Sequence, residues 1–171
     1  QEFGNMDFYW LYNCELSCSI NRIICLLSYI HNVIIIRKNN NKILNGNIII
    51  KRISIDCNRE IIEKVTGFKL KLEDKDLDLH TNSMGNVNSN FMVNFSNMDL
   101  QTGQVIPSCT QEENLFNARP EMYIAMCISQ RMYKNDIIII ENVPQMITYS
   151  GYLQSFKYEN IVTNFEEYII N

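Results

Sequence analysis

The clearest alternation of apolar and polar positions lies at 91–95, Phe-Met-Val-Asn-Phe, where a period of two predicts a half-buried strand. Before it, the run 19–31 predicts a helix opened by Ser19. A turn at Leu44-Asn45-Gly46 leads into β-branched residues over 47–54, a predicted strand. Ile61, Ile62 and Val65 recur at helical spacing within 57–66, and Gly67 ends that helix. Residues 73–90, rich in Asp and Asn, read as an exposed loop. Helices are predicted at 109–117 and at 120–133, the second with Pro120 in its tolerated first turn. Strands follow at 137–140, apolar enough to be buried, and at 152–162. Strands interleaved with helices predict an α/β layer fold around a mixed sheet.

At 171 residues the chain is one domain long and can bury a core of its own. Gln1–Asn5 reads as vector-derived, with Met6 as the natural start, so the domain is expected over 6–171. Continuous apolar runs such as Val33–Ile36 fall far short of the roughly 20 residues that cross a bilayer. With no basic, apolar leader at the start, an intracellular place, cytoplasmic or nuclear, and no membrane partner are expected. The six cysteines sit mostly among apolar neighbours, where thiols act as small hydrophobes. Neither they nor His31 and His80 show zinc-ligand spacing, so no metal is expected.

The net charge of −4 argues against general nucleic-acid binding. Charge is uneven, however. Residues 20–71 hold ten of the fifteen Lys and Arg with three acids, enough for a basic face toward a polyanion or a lysine-protected sheet edge. The abundance of Asn and Ile reads as codon bias from an AT-rich genome.

Candidate chemistry concentrates in 93–116, which reads as strand end, loop and helix start, with Gln111, Glu112 and Glu113 in the first helical turn. Loops of this kind gather beyond the C-terminal ends of strands, where α/β sheets bind ligands. Gly103 lets backbone approach a ligand, and amides at a helix start can hold a pyrophosphate. A structural reading stands beside this one. Thr110-Gln-Glu-Glu113 has capping-box spacing, and acids at a helix start favour its dipole.

Four ordered segments resemble the poly(ADP-ribose) glycohydrolase family. Val93-Asn-Phe-Ser-Asn97 is similar to the family's Val-Asp-Phe-Ala-Asn strand end, and Gln111-Glu-Glu113 to its Gln-Glu-Glu triplet. Arg22-Ile-Ile-Cys-Leu-Leu-Ser-Tyr29 resembles a helix with a Cys-Leu-Leu-His-Tyr core, and Tyr149-Ser-Gly-Tyr152 a Tyr-Thr-Gly-Tyr loop. The resemblance spans about 21–158 and implies a macrodomain-like three-layer α/β/α fold with a mixed central sheet. It implies Glu113 as catalytic acid, Glu112 as the neighbour that positions the ribose, and Asn97 as a ligand contact near the scissile bond. It further implies Gly103 along the diphosphate with Thr102 beside it, Tyr149 at the ADP-ribose pocket, and Gln111 and Phe116 shaping that pocket.

Implied partners are poly(ADP-ribose), ADP-ribosylated proteins and ADP-ribose as product, with no cofactor. The chain departs from the family where Gln101 and Thr102 replace two glycines and Asn94 replaces an aspartate. Those departures keep open a weak or inactive macrodomain that only binds ADP-ribose.

Overall fold

The computed structural model describes residues 17–39, 47–55, 64, 92–100 and 109–162. The helix expected at 57–66 and the loop at 73–90 lie outside the described residues, apart from Lys64, which is helical.

Helix α1 runs over Ser17–Asn39, longer at both ends than expected. No Gly or Pro stops it after His31, and Arg37 and Lys38 in its last turn suit the negative end of the helix dipole. Ser19 is not its opening cap but a fully buried residue of the first turn. The inward face carries Cys18, Arg22 and Cys25, while Ile20, Ile24, Leu27, Ile34 and Ile35 are exposed. Continuous apolar runs understate this helix. Within Cys18–Lys38 an 18-residue window reaches a mean hydropathy of 1.6, so the helix is long and apolar enough, by length and composition, to cross a membrane.

Strand β1 (Ile49–Ser54) pairs antiparallel with β2 (Asp136–Glu141), in the register Ile50↔Ile140 and Arg52↔Ile138. β2 is half-buried rather than buried. Ile138 and Ile140 pack inward, but Ile137 faces solvent, as expected in a two-stranded ribbon with one wet face. Asn142 takes a left-handed φ of 62°, which asparagine tolerates, and its Nδ2 donates to the Asn47 carbonyl at 3.2 Å, closing the ribbon's end.

At the other end the Asp136 carboxylate accepts the Tyr133 N–H at 2.7 Å and pairs with Arg52. The Tyr133 amide, then Arg52, holds that carboxyl below its ordinary range. Its folded-state value being depressed, its stabilising contribution is complete above the unfolded value near 4 and is lost as pH falls through the lowered one. Asp136→Asn is therefore expected to flatten the fall in stability as pH drops below about 4, measured as urea midpoints across the acid range.

Helix α2 (Gln111–Ala118) is followed by a 3-10 turn at Pro120–Met122 and helix α3 (Tyr123–Ile128). The helix expected over 120–133 thus ends five residues early, where Ser129 turns extended at ψ 127°. The Arg52 guanidinium then collects the carbonyl of Arg131 at 2.9 Å, fixing a non-helical path. The strand expected over 152–162 is strand only in its second half, and a further strand, which the sequence did not predict, precedes it. β3 (Ile147–Ser150) pairs antiparallel with β4 (Lys157–Ile161), and a 3-10 turn at Leu153–Ser155 lies between them.

The described residues hold two separate two-stranded antiparallel sheets, and no parallel pair occurs among them. The segment expected as a strand at 91–95 forms no ladder over its described residues 92–95. Its period of two survives, with the faces exchanged. Met92 and Asn94 are half-buried, whereas Val93 and Phe95 are 65% and 77% exposed.

Two apolar clusters enclose α2. Cys18, Cys25, Cys109, Ala118, Met146, Ile147, Tyr149 and Phe156 form one beneath α1 and the β3–β4 hairpin. Leu100, Leu115, Phe116, Met122 and Met126 form the other, with Ile138 and Ile140 of β2 against it. Both sides of α2 are therefore packed.

Candidate active site

The first turn of α2 carries Gln111, Glu112 and Glu113, and each side chain takes a different partner. The Gln111 carboxamide pairs with backbone as a neighbouring strand would. Its Nε2 donates to the Val93 carbonyl at 2.8 Å, and its Oε1 accepts the Phe95 N–H at 3.2 Å. This explains the missing ladder, because a side chain supplies the bonds that a strand edge would have made.

Glu112 continues the attachment. Its Oε1 accepts from the Ser96 hydroxyl at 2.5 Å, and its Oε2 from the Asn97 N–H at 3.4 Å. Burial pushes its carboxyl above the ordinary range; the Ser96 and Asn97 bonds oppose that rise, and the charge of Glu113 adds to it. Glu113 closes the cap. Its Oε2 accepts the Thr110 N–H at 2.8 Å and also the Thr110 hydroxyl. Both glutamates are 8% exposed. The described bonds to Glu113 all converge on Oε2, so Oε1 is the oxygen left for other chemistry.

Thr110 is placed by Cys109, on which two elements converge. Arg22 of α1 donates its Nε–H to the Cys109 sulfur at 3.2 Å, and the Leu153 N–H donates to the Cys109 carbonyl at 2.9 Å. Burial pushes the Cys109 thiol up to about 12, against the pull of Arg22, so it stays neutral and serves packing rather than nucleophilic chemistry. Arg22 is 1% exposed, with Nη1 and Nη2 lacking hydrogen-bond partners among the described residues.

Gly151, at φ +79°, makes the turn that brings Leu153 to Cys109. A Cβ there would stand 1.9 Å from the Ser155 carbonyl oxygen, a backbone atom that cannot step aside. Gly151→Ala is expected to cost at least about 1–3 kcal/mol, read as a melting temperature lowered by several degrees.

The structure thus gathers Asn97, Gln111, Glu112 and Glu113 at one place. Phe116 and Tyr149 lie apart, in the two clusters flanking α2. Phe116 is fully enclosed 5.6 Å from the Tyr123 ring, and Tyr149 is 6% exposed against Phe156 at 5.4 Å. Gly103 and Thr102 lie outside the described residues. Ser96, Thr110 and Cys109 are contributors that the sequence did not single out for this place. Thr110 carried a signal in its capping-box spacing, whereas the Ser96 contact joins residues 16 apart and leaves no local pattern. Among the described residues no group of three His, Cys, Asp or Glu could hold a metal, and Cys18, Cys25, Cys109 and Cys127 form no disulfide.

A family model described as "Poly (ADP-ribose) glycohydrolase (PARG), Macro domain fold" matches residues 62–168, more than half of the chain, with the whole Gln-Glu-Glu turn inside it. Helix α1 and strand β1 precede the matched span. No curated protein matches the chain.

Proposed function

This chain belongs to the poly(ADP-ribose) glycohydrolase family of macro domain fold, and from that premise we propose that it hydrolyses the ribose–ribose O-glycosidic bonds of poly(ADP-ribose), releasing ADP-ribose. The observation that carries the proposal is the anchored carboxyl of Glu113, fixed through Oε2 by Thr110 and with no bond to Oε1 among the described residues. A general acid must hold its proton at a defined point, and an anchor on Oε2 supplies that without occupying Oε1.

In the proposed reaction the glycosidic bond breaks through an oxocarbenium-like transition state. Glu113 gives its proton to the departing ribose 2′-oxygen and then takes one from the attacking water, which restores the acid. Glu112, beside Asn97, accepts hydrogen bonds from ribose hydroxyls and orients the sugar. Backbone amides near Thr102 and Gly103 hold the diphosphate. Gln111 serves by holding the 93–95 backbone on α2, while Phe116 and Tyr149 shape the site through the packing on either side of that helix. The proposal includes one domain over 6–171 with the three-layer α/β/α arrangement of a macro domain, and ADP-ribosylated proteins as polymer carriers.

Incubation with poly(ADP-ribose), with released ADP-ribose as the readout, tests this directly. Calorimetry with ADP-ribose beside it separates an enzyme from a module that only binds. Tight binding without product would replace the hydrolase reading with the binding one.

A further inference from the structure

We propose that Ser96 is a positioning residue whose hydroxyl locks the Glu112 carboxylate onto the 93–97 segment, so that Glu112 and Asn97 meet the ribose as one unit. The inference rests on the glycohydrolase reading for its consequence in catalysis, though not for its geometry.

Residues 92–97 belong to no sheet among the described residues, so nothing regular fixes them relative to α2. Four hydrogen bonds from two adjacent side chains do that instead. Two come from Gln111 to the backbone at 93 and 95, and two join Glu112 to Ser96 and Asn97. They are unequal. The Asn97 N–H stands 3.4 Å from Glu112 Oε2, beyond the best range for an amide donor, whereas the Ser96 contact is 2.5 Å.

The Ser96 hydroxyl has one proton and two acceptors in reach, Glu112 Oε1 and the Asn97 carbonyl at 3.1 Å. The ionised carboxylate is the stronger acceptor. Removing this hydroxyl leaves Glu112 with a single long bond among the described residues.

The working form of Glu112 in this role is the carboxylate, because it accepts hydrogen bonds from sugar hydroxyls. Burial works against that form, and so does Glu113 on the same turn, the charged group acting on Glu112 among the described residues. The packed 92–100 segment brings Ser96 and Asn97, and its own acid, Asp99, is paired with Arg131 at 3.4 Å. Ser96 is thus the chief opponent of burial: it orients Glu112 and favours its ionised form.

The test is carboxyl-carbon NMR titration of Glu112 in the native protein, Ser96→Ala and Ser96→Thr, with kcat and KM for polymer across pH. In Ser96→Ala the Glu112 titration is expected to move up by about one to two pH units. The acid limb of kcat should follow, while Ser96→Thr, which keeps the hydroxyl, restores both. An unmoved Glu112 titration in Ser96→Ala, or one that Ser96→Thr fails to restore, would overturn the proposal. The two readings fail separately. A native protein that cleaves no polymer removes the glycohydrolase reading while the titration still decides Ser96.

Discussion

Polymer cleavage by Glu113→Gln is expected to fall about 10²–10⁴-fold, the contribution of a single acid/base group, while ADP-ribose binding persists. Glutamine has the same shape and keeps one oxygen, so it still accepts the Thr110 N–H that closes the cap. What it loses is the transferable proton. It also loses the favourable interaction of a carboxylate with the helix dipole, about 0.3–1 kcal/mol. The melting temperature should therefore drop by no more than about 4 °C. Released ADP-ribose, ADP-ribose calorimetry and thermal unfolding of the same sample give the three readings. Native-rate cleavage by Glu113→Gln would sink the assignment, and loss of binding together with folding would mean that the cap, not the chemistry, had been removed.

The second large effect is on stability. Phe116 is fully buried between Leu115, Met122 and Met126 and lies against the Tyr123 ring. Phe116→Ala removes a whole ring from a packed site and is expected to cost about 3–5 kcal/mol. For a chain of this size that lowers the melting temperature by roughly 6–20 °C. Phe95→Ala supplies the contrast. With Phe95 77% exposed, its loss should change stability by no more than about 0.5 kcal/mol. Equal losses in the two variants, by thermal or urea unfolding, would show that the cluster around Phe116 does not hold α2.

The large effect at Phe116 and the small one at Phe95 could not have been told apart from sequence. Both are phenylalanines in segments whose patterns predict burial. The alternation at 91–95 was legible, and the alternation is present, but which face turns inward depends on what lies across from it. There the partner is the Gln111 side chain and not another strand, and Phe95 faces outward. The same holds for the Glu pair, whose capping spacing and whose family triplet had looked like competing accounts. The geometry makes them compatible, since the cap uses Oε2 of Glu113 alone.

Local rules were enough for the elements whose reasons are local. The helix through Arg22, the strand at 49–54, the α2 helix after Thr110 and the proline-led start of the helix beyond it all follow from periodicity, β-branching and capping within a few neighbouring residues. The family, too, was readable in short ordered motifs, because site chemistry constrains residue types at fixed spacing. What required the folded chain were contacts between residues far apart in sequence. Arg22 reaches Cys109 across 87 positions, and Ser96 and Asn97 reach Glu112 across 16 and 15. Such contacts depend on how elements pack, and packing energy is shared among many residues, so no single stretch of sequence records it.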